Sequence, residues 1–271
     1  MRKALVASSL LSCVALAGCR EKAPEPNAAP GPTVNVSAAI GDRIASARVA
    51  TAASKTIVIT AVSETNANGK TGRTTQTANI DRVAKSQAIH VSLDVPDELG
   101  LVAPDYDFIT VGGQTFLGPL RRAGTYLEGD ANELGAGRKL ISIKSMFNTI
   151  DVTTWAAGQG RAAADGTSLE CFYAFLKDDV DAPNLNPTYA KAAAKAATGS
   201  TVTLSRSTAE VCVSPAGKLA HLGFEAKSQI GSELIGVEIT TDAAVAVARP
   251  ENVDPNPEKV LKRLRKAAAR K

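Results

Sequence analysis

Hydrophobic positions along the chain change their period several times, and each change marks an element. Residues 37–53 (SAAIGDRIASARVATAA) place Ile40, Ile44, Ala47 or Arg48, and Ala52 near helical spacing behind Ser37 as N-cap, which predicts a first helix. Residues 55–64 (KTIVITAVSE) are dense in β-branched side chains, as in a strand buried on both faces. Residues 66–72 (NANGKTG) then read as a hairpin turn and 73–82 as a more polar returning strand. The cleanest alternation is in 88–95, with Ile89, Val91, Leu93 and Val95 on one face, His90, Ser92 and Asp94 on the other, and Pro96 as terminator. Residues 106–111 and 114–120 flank Gly112-Gly113, the residue pair that a tight hairpin demands.

The strand pattern breaks at 139–148 (KLISIKSMFN) and 150–158 (IDVTTWAAG), which predict a helical insertion with Asp151 capping a helix that carries Trp155. Residues 167–177 return to strand and contain Cys171, Phe172, Tyr173 and Phe175. Residues 187–197 (PTYAKAAAKAA) open on proline, are alanine-rich and stop near Gly199, so a short helix is expected. Strands at 208–214, 219–227 (after a Pro215-Ala216-Gly217 turn), 233–241 and 245–248 complete the pattern. Strands, a helical insertion and more strands predict an α+β fold around one strongly curved antiparallel β-sheet.

Composition adds a packed core: 44% hydrophobic residues and a mean hydropathy of −0.02, with aromatics at only 4%, so the core is mostly aliphatic. The formal charge of +4 is unevenly spread. Seven lysines and arginines crowd the tail 258–271 against the single acid Glu258, and the body before it is net acidic. Nucleic acid is therefore not an expected partner, because the basic balance belongs to the tail and not to a binding face. Within the tail, Val260, Leu261, Leu264, Ala267 and Ala268 line one side of a candidate helix, and Lys262, Arg263, Arg265 and Lys266 are candidate contacts to an anionic membrane or a polyanion. A solubilising tail without fixed structure is the alternative.

The N-terminus directs the chain to export. Met1-Arg2-Lys3 precedes an uncharged apolar stretch from Ala4 to Leu16, closed by Ala17 and Gly18, which is the layout of a secretory signal peptide. That stretch is shorter than the roughly 20 apolar residues needed to span a bilayer. Leu16-Ala17-Gly18-Cys19 resembles the bacterial lipobox. The resemblance implies a signal peptide of residues 1–18 cut before Cys19, a diacylglyceryl group on its thiol, and an N-terminus acylated by a chain such as palmitate. Arg20, by resemblance to lipoprotein sorting, favours the outer membrane, facing the periplasm. Residues 19–33, with Pro24, Pro26, Pro30 and Pro32, read as an extended tether. Residues 34–253 form the expected single domain and 254–271 the basic tail. In an oxidising compartment Cys171 and Cys212 have one possible pairing, a disulfide; the alternative is two buried thiols.

The order of the pieces is similar to that of the LolA/LolB and LppX/LprG-type lipoproteins, whose fold is a half-open β-barrel covered by helices. Four stretches carry the resemblance: 108–116 (FITVGGQTF), 165–173 (DGTSLECFY), 210–218 (EVCVSPAGK), and 237–239 (VEI) through to 245–250 (VAVARP), the last as the closing strand and its proline. The chain departs from the pattern at Thr125-Tyr126, where a tryptophan often stands. The resemblance implies binding of a lipid or acyl chain in an apolar cavity lined by Ile57, Ile59, Ile89, Val91, Leu93, Tyr173, Phe175, Phe224, Val237 and Ile239, for envelope lipid or lipoprotein transport. The same side chains could instead fill a solid core. The chain would then be a structural or sensory lipoprotein that binds a protein partner.

Catalytic motifs are missing from the sequence: no G-x-S-x-G, no P-loop, no C-x-x-C and no H-E-x-x-H. The segment beginning at Glu64 is a poor calcium loop, since its twelfth position is Thr75 where a bidentate Glu is required. His90 and His221 are expected to be solvated, and Asp178, Asp179 and Asp181 to form a charged loop. Neither an enzyme activity, a metal nor a cofactor is expected.

Overall fold

The alternation read in residues 88–95 extends, in the computed structural model, across an entire sheet. The structure describes residues 36–67, 70–94, 102–135, 143–177, 207–228 and 231–262. The expected signal peptide, Cys19 and the tether lie outside them, as do Pro96, Asp178, Asp179 and Asp181, the helix at 187–197, and Arg263, Arg265 and Lys266.

Among the described residues, three helices, α1 (Val36–Ala52), α2 (Ala131–Gly135) and α3 (Ile143–Asn148), and a helical turn at 258–262 accompany twelve strands. The strands are β1 (Thr56–Ala67), β2 (Lys70–Asp81), β3 (Ser86–Leu93), β4 (Val102–Val111), β5 (Gln114–Leu120), β6 (Leu127–Gly129), β7 (Ala156–Ala157), β8 (Arg161–Ala162), β9 (Ser168–Phe175), β10 (Thr208–Val213), β11 (Leu219–Ser228) and β12 (Gly231–Thr241). They hydrogen-bond in the order β6-β5-β4-β3-β2-β1-β12-β11-β10-β9-β7, with β8 beside β9. The sheet does not close on itself, and every strand pairing within it is antiparallel. Gly112 and Gly113, at φ 59° and 79°, make the tight β4–β5 turn, a backbone that side chains with a Cβ resist.

Register assigns each side chain to a face. One row runs Leu127, Leu117, Phe108, Ile89, Ala78, Ile59, Ile239 across β6 to β12. The next row on that face runs Tyr106, Val91, Gln76, Ala61, Val237, Leu222, Val211, Phe172. Between these two rows lies a row of the opposite face: Asp107, His90, Thr77, Thr60, Glu238, His221, Cys212, Cys171. One face is thus mostly apolar, with the buried Gln76 an exception in its second row, and the other mostly polar, the signature of a sheet that packs on one side.

The apolar face carries two core clusters. One joins Ile40, Ile44 and Ala47 of α1 and Met146 and Phe147 of α3 to Phe172, Val211, Leu222, Phe224, Ile235 and Val237. The other joins Val91, Tyr106, Phe108, Leu117, Leu127, Leu134 and Leu261. On the opposite face Leu169 covers Cys171 and Cys212, which form the disulfide, with Cα atoms 4.0 Å apart. Among the described residues no helix is long and apolar enough to cross a membrane.

Several expectations are corrected. Residues 150–158 are not helical: Asp151 Oδ1 accepts both the backbone N–H of Thr153 (3.0 Å) and its hydroxyl (2.7 Å), a local turn that competes with helix. Ser37 is not the N-cap, because α1 already includes Val36. Its hydroxyl instead donates to Val152 O (3.3 Å) and accepts from Trp155 N–H (3.1 Å), tying the helix to the Trp155 loop. Ala52 is exposed, and Thr51 takes the buried position in that turn. In β1 the buried residues Ile57, Ala61, Ser63 and Thr65 alternate with half-buried Val58, Thr60 and Val62, so the strand is not buried on both faces. Residues 245–248 are not a strand. β12 already has β1 and β11 as neighbours, which leaves the departing chain no free edge. It runs instead to β6, where Val253 bridges Tyr126 and Arg249 lies 5.3 Å from the Phe116 ring.

Candidate functional site

A recess of about 710 Å³ opens between α1, α3 and the apolar face of the sheet. Its floor is Ile57 and Ile59 of β1, Ile80 of β2, Leu219 of β11 and Ile239 of β12, which pack side by side because Ile57 pairs with Ile80 and Ile59 with Ile239. One wall is the α1 face of Ala45, Arg48, Val49 and Ala52; the other is Ile143, Lys144 and Phe147 of α3. Thr51 also faces the recess, but its hydroxyl is fully used: it donates to Ala47 O and accepts the N–H of Leu219, both at 2.8 Å. Ile59, Ile80 and Ile143 stay only half-buried beside a core in which Val237 and Leu222 are wholly covered.

Arg48, Arg82 and Lys144 stand at the rim, all exposed. The Arg48 guanidinium lies 4.3 Å from the centroid of the Phe147 ring, a cation–π geometry that holds it over the opening. Among the described residues lining the recess there is no carboxylate, histidine or thiol.

Of the cavity residues expected from sequence, the structure brings Ile57, Ile59 and Ile239 to the recess. The others are elsewhere, for stated reasons. Phe224 and Val237 are packed into the α1 cluster, 2% and 0% exposed. Val91 is buried in the β4–β6 cluster, with Ile89 and Leu93 packed against it. Tyr173 and Phe175 lie on the opposite face, because inward-facing Phe172, Ala174 and Leu176 set the phase of β9. Ile80, Ile143, Phe147 and the three rim cations were missed. Ile143 and Phe147 did carry a signal, four apart in the helical insertion, and Ile80 closes a strand whose other side chains are mostly polar.

The opposite face holds a polar network. His221 is 4% exposed, not solvated as expected, because Arg161 from the short β8 covers it. Arg161 Nη1 donates to His221 Nε2 (2.8 Å), which leaves Nδ1–H to donate to Glu238 (2.7 Å). Tyr173 donates to Glu210 (2.9 Å), and that bond, followed by burial, raises the tyrosine pKa. Glu210 lies within 4.8 Å of both cysteine sulfurs, a potential metal grouping whose sulfurs are engaged in the disulfide. His90 is exposed, as expected, with Asp107 at 2.8 Å. A second, polar hollow of about 510 Å³ sits at the far end of β1 and β12, near Glu64, Arg73, Asp94 and Glu225. Beneath it the buried Glu233 accepts a hydrogen bond from Ser63 at 3.0 Å.

Sheet and recess together define an α+β protein built on an open antiparallel sheet, with a hydrocarbon-lined opening under its helices. Among solved structures it is similar to the lipoprotein LppX of Mycobacterium tuberculosis, at 12% identity over 78% of this chain and 99% of that one, with a TM-score of 0.47. LprF of Mycobacterium bovis is similar at 14% identity, over 79% and 97% of the two chains, with a TM-score of 0.45. A putative outer membrane lipoprotein-sorting protein domain of Vibrio parahaemolyticus follows at 8% identity, over 83% and 97%, with a TM-score of 0.27. These are proteins of the group that the sequence resembles, and the likeness is one of fold. No family model and no curated protein matches the sequence. With each of these TM-scores below 0.5, the weight falls on the geometry of this chain.

Proposed function

We propose that this protein is a lipoprotein of the cell envelope, anchored through Cys19, that binds an acyl chain or lipid in the recess between α1, α3 and the sheet. Handover of envelope lipid or lipoprotein is the role that this geometry serves. The observation that carries the reading is the apolar recess itself. Its volume of about 710 Å³ falls inside the roughly 300–1,000 Å³ typical of small-molecule pockets. Its half-buried isoleucines are hydrocarbon that a guest would remove from water. A strongly twisted open sheet rarely exceeds about 10 strands without curling, splitting or flattening, and curling of this twelve-stranded sheet would give its apolar face the shape of a half-barrel.

Magnitudes limit what the recess does alone. Burying about ten methylenes yields roughly 8 kcal/mol gross. Lost freedom of the ligand takes back at least about 4 kcal/mol. The remaining ~4 kcal/mol is only millimolar affinity. A tighter complex therefore needs a longer chain or a polar anchor.

The test uses the soluble protein lacking residues 1–19. Organic extraction followed by mass spectrometry is expected to find co-purified lipid, and the neutral probe N-phenyl-1-naphthylamine is expected to bind and fluoresce. Ile59→Trp and Ile80→Trp, which project a large ring into the recess, should lower probe binding at least tenfold while the circular dichroism spectrum is retained. An unliganded wild type that also ignores the probe would refute the proposal. In the full chain, Cys19→Ala should move the protein from the membrane to the soluble fraction.

A further inference from the structure

The rim of the recess gathers three cations around one apolar opening, whereas six other cations among the described residues are each paired with a carboxylate. Arg43 pairs with Glu170, Arg73 with Glu64, Arg161 with Glu210 and Glu238, Lys218 with Asp242, Lys227 with Glu225 and Arg249 with Glu128. Arg48, Arg82 and Lys144 have no carboxylate within salt-bridge distance among the described residues, although the body of the chain is net acidic. They come from three separate elements, α1, the end of β2 and α3, and converge on one opening. Arg48 is held over Phe147 through its ring-facing side, which leaves its N–H edge available.

Resting on the reading of the recess as an acyl site, we propose that it selects amphiphiles with an anionic head. A carboxylate or phosphate sits among Arg48, Arg82 and Lys144, and the hydrocarbon tail lies on Ile57, Ile59, Ile80 and Ile239. Guanidinium groups suit both anions because their paired N–H donors match two oxygens at once. Lys144 adds a compact third charge. The rim would exclude cationic amphiphiles by like-charge repulsion, which makes the head, and not the tail, the specifying group.

The soluble protein is loaded with N-phenyl-1-naphthylamine and titrated with four twelve-carbon ligands below their micelle concentrations: dodecanoate, dodecyl phosphate, dodecanol and dodecylamine. Both anions should displace the probe at least tenfold more effectively than dodecanol, and dodecylamine should be weakest. Raising salt from 50 to 500 mM should compress that preference several-fold, because the rim is exposed and screened. Arg48→Gln, Arg82→Gln and Lys144→Gln should each weaken the anions roughly two- to fivefold. The triple variant should abolish the preference for the anions over dodecanol. Arg48→Lys, which keeps the charge, should retain most of it. Phosphate favoured over carboxylate would point to a phospholipid-type source, and the reverse to a free fatty acid. Equal displacement by all four ligands, with the probe still bound, overturns the headgroup proposal and leaves the acyl site standing. Failure of the probe to bind at all overturns the acyl site itself.

Discussion

Tyr126 donates to Asp107 Oδ2 at 2.6 Å, and the other oxygen of that carboxylate contacts His90 Nδ1 at 2.8 Å. Burial first, then the bond to Asp107 and its negative charge, push the tyrosine pKa up to about 12 from 10.0. The folded value exceeds the unfolded one, so the stability from this contact is fully present below about pH 10 and is lost as pH rises towards 12. One of the four tyrosines should therefore ionise last in a spectrophotometric titration, and Tyr126→Phe should remove that step. The variant should also cost about 1 kcal/mol near neutral pH, the ordinary worth of a partly buried hydrogen bond. Identical alkaline melting curves for variant and wild type would discount the contact. In the sequence Thr125-Tyr126 stands out only as a departure from the resembled pattern, because Asp107 is a partner 19 positions away. His221 is illegible for the same reason, since Arg161 reaches it from 60 positions away.

Elements were legible wherever the pattern was local. β3, β5, β9, β10 and β11 fall within about two residues of where alternation and turn glycines put them. Misreadings concentrate where distant partners decide. The Trp155 segment had helix-compatible residues, yet its backbone N–H groups donate to the Ser37 hydroxyl (Trp155) and to β9 carbonyls (Asp151 to Phe175, Gly158 to Cys171), and Trp155 ends 5% exposed in the core. The basic tail shows the same thing at its base. Residues 258–262 are helical, and Leu261 is buried against Leu134 beside β6, where Gly129 leaves room: a Cβ there would lie 3.1 Å from Leu261. Leu261→Ala should cost about 2–5 kcal/mol, visible as a lowered denaturation midpoint. Removing residues 258–271 should cost at least as much, so that deletion cannot separate partner binding from folding. If Leu261→Ala matches wild type, the segment is not docked as described.

For the whole molecule, the disulfide and the open sheet matter most. Cys171 and Cys212 lie 41 residues apart and pair across β9 and β10, so the bond closes a long loop in the unfolded chain. The double variant Cys171→Ala/Cys212→Ala, or reduction by a dithiol, should lower stability by about 2–4 kcal/mol, measured by denaturant unfolding. Probe binding in the recess, on the other face of the sheet, should persist. The sequence by itself determined most of the longer strands, the antiparallel α+β class, the tight glycine turn and the cysteine pairing as one of two options, because periodicity, turn chemistry and residue counts are local properties. Tertiary structure alone decided which hydrocarbon is spent on the core and which is left beside a recess. Val237 and Ile239 sit two residues apart on the same strand face and look equivalent in sequence. The first is wholly buried in the cluster that α1 and α3 cover, beside its β11 partner Leu222, while the second borders the opening under α1 and α3. Packing depends on which elements meet overhead, and no window along the chain encodes that meeting.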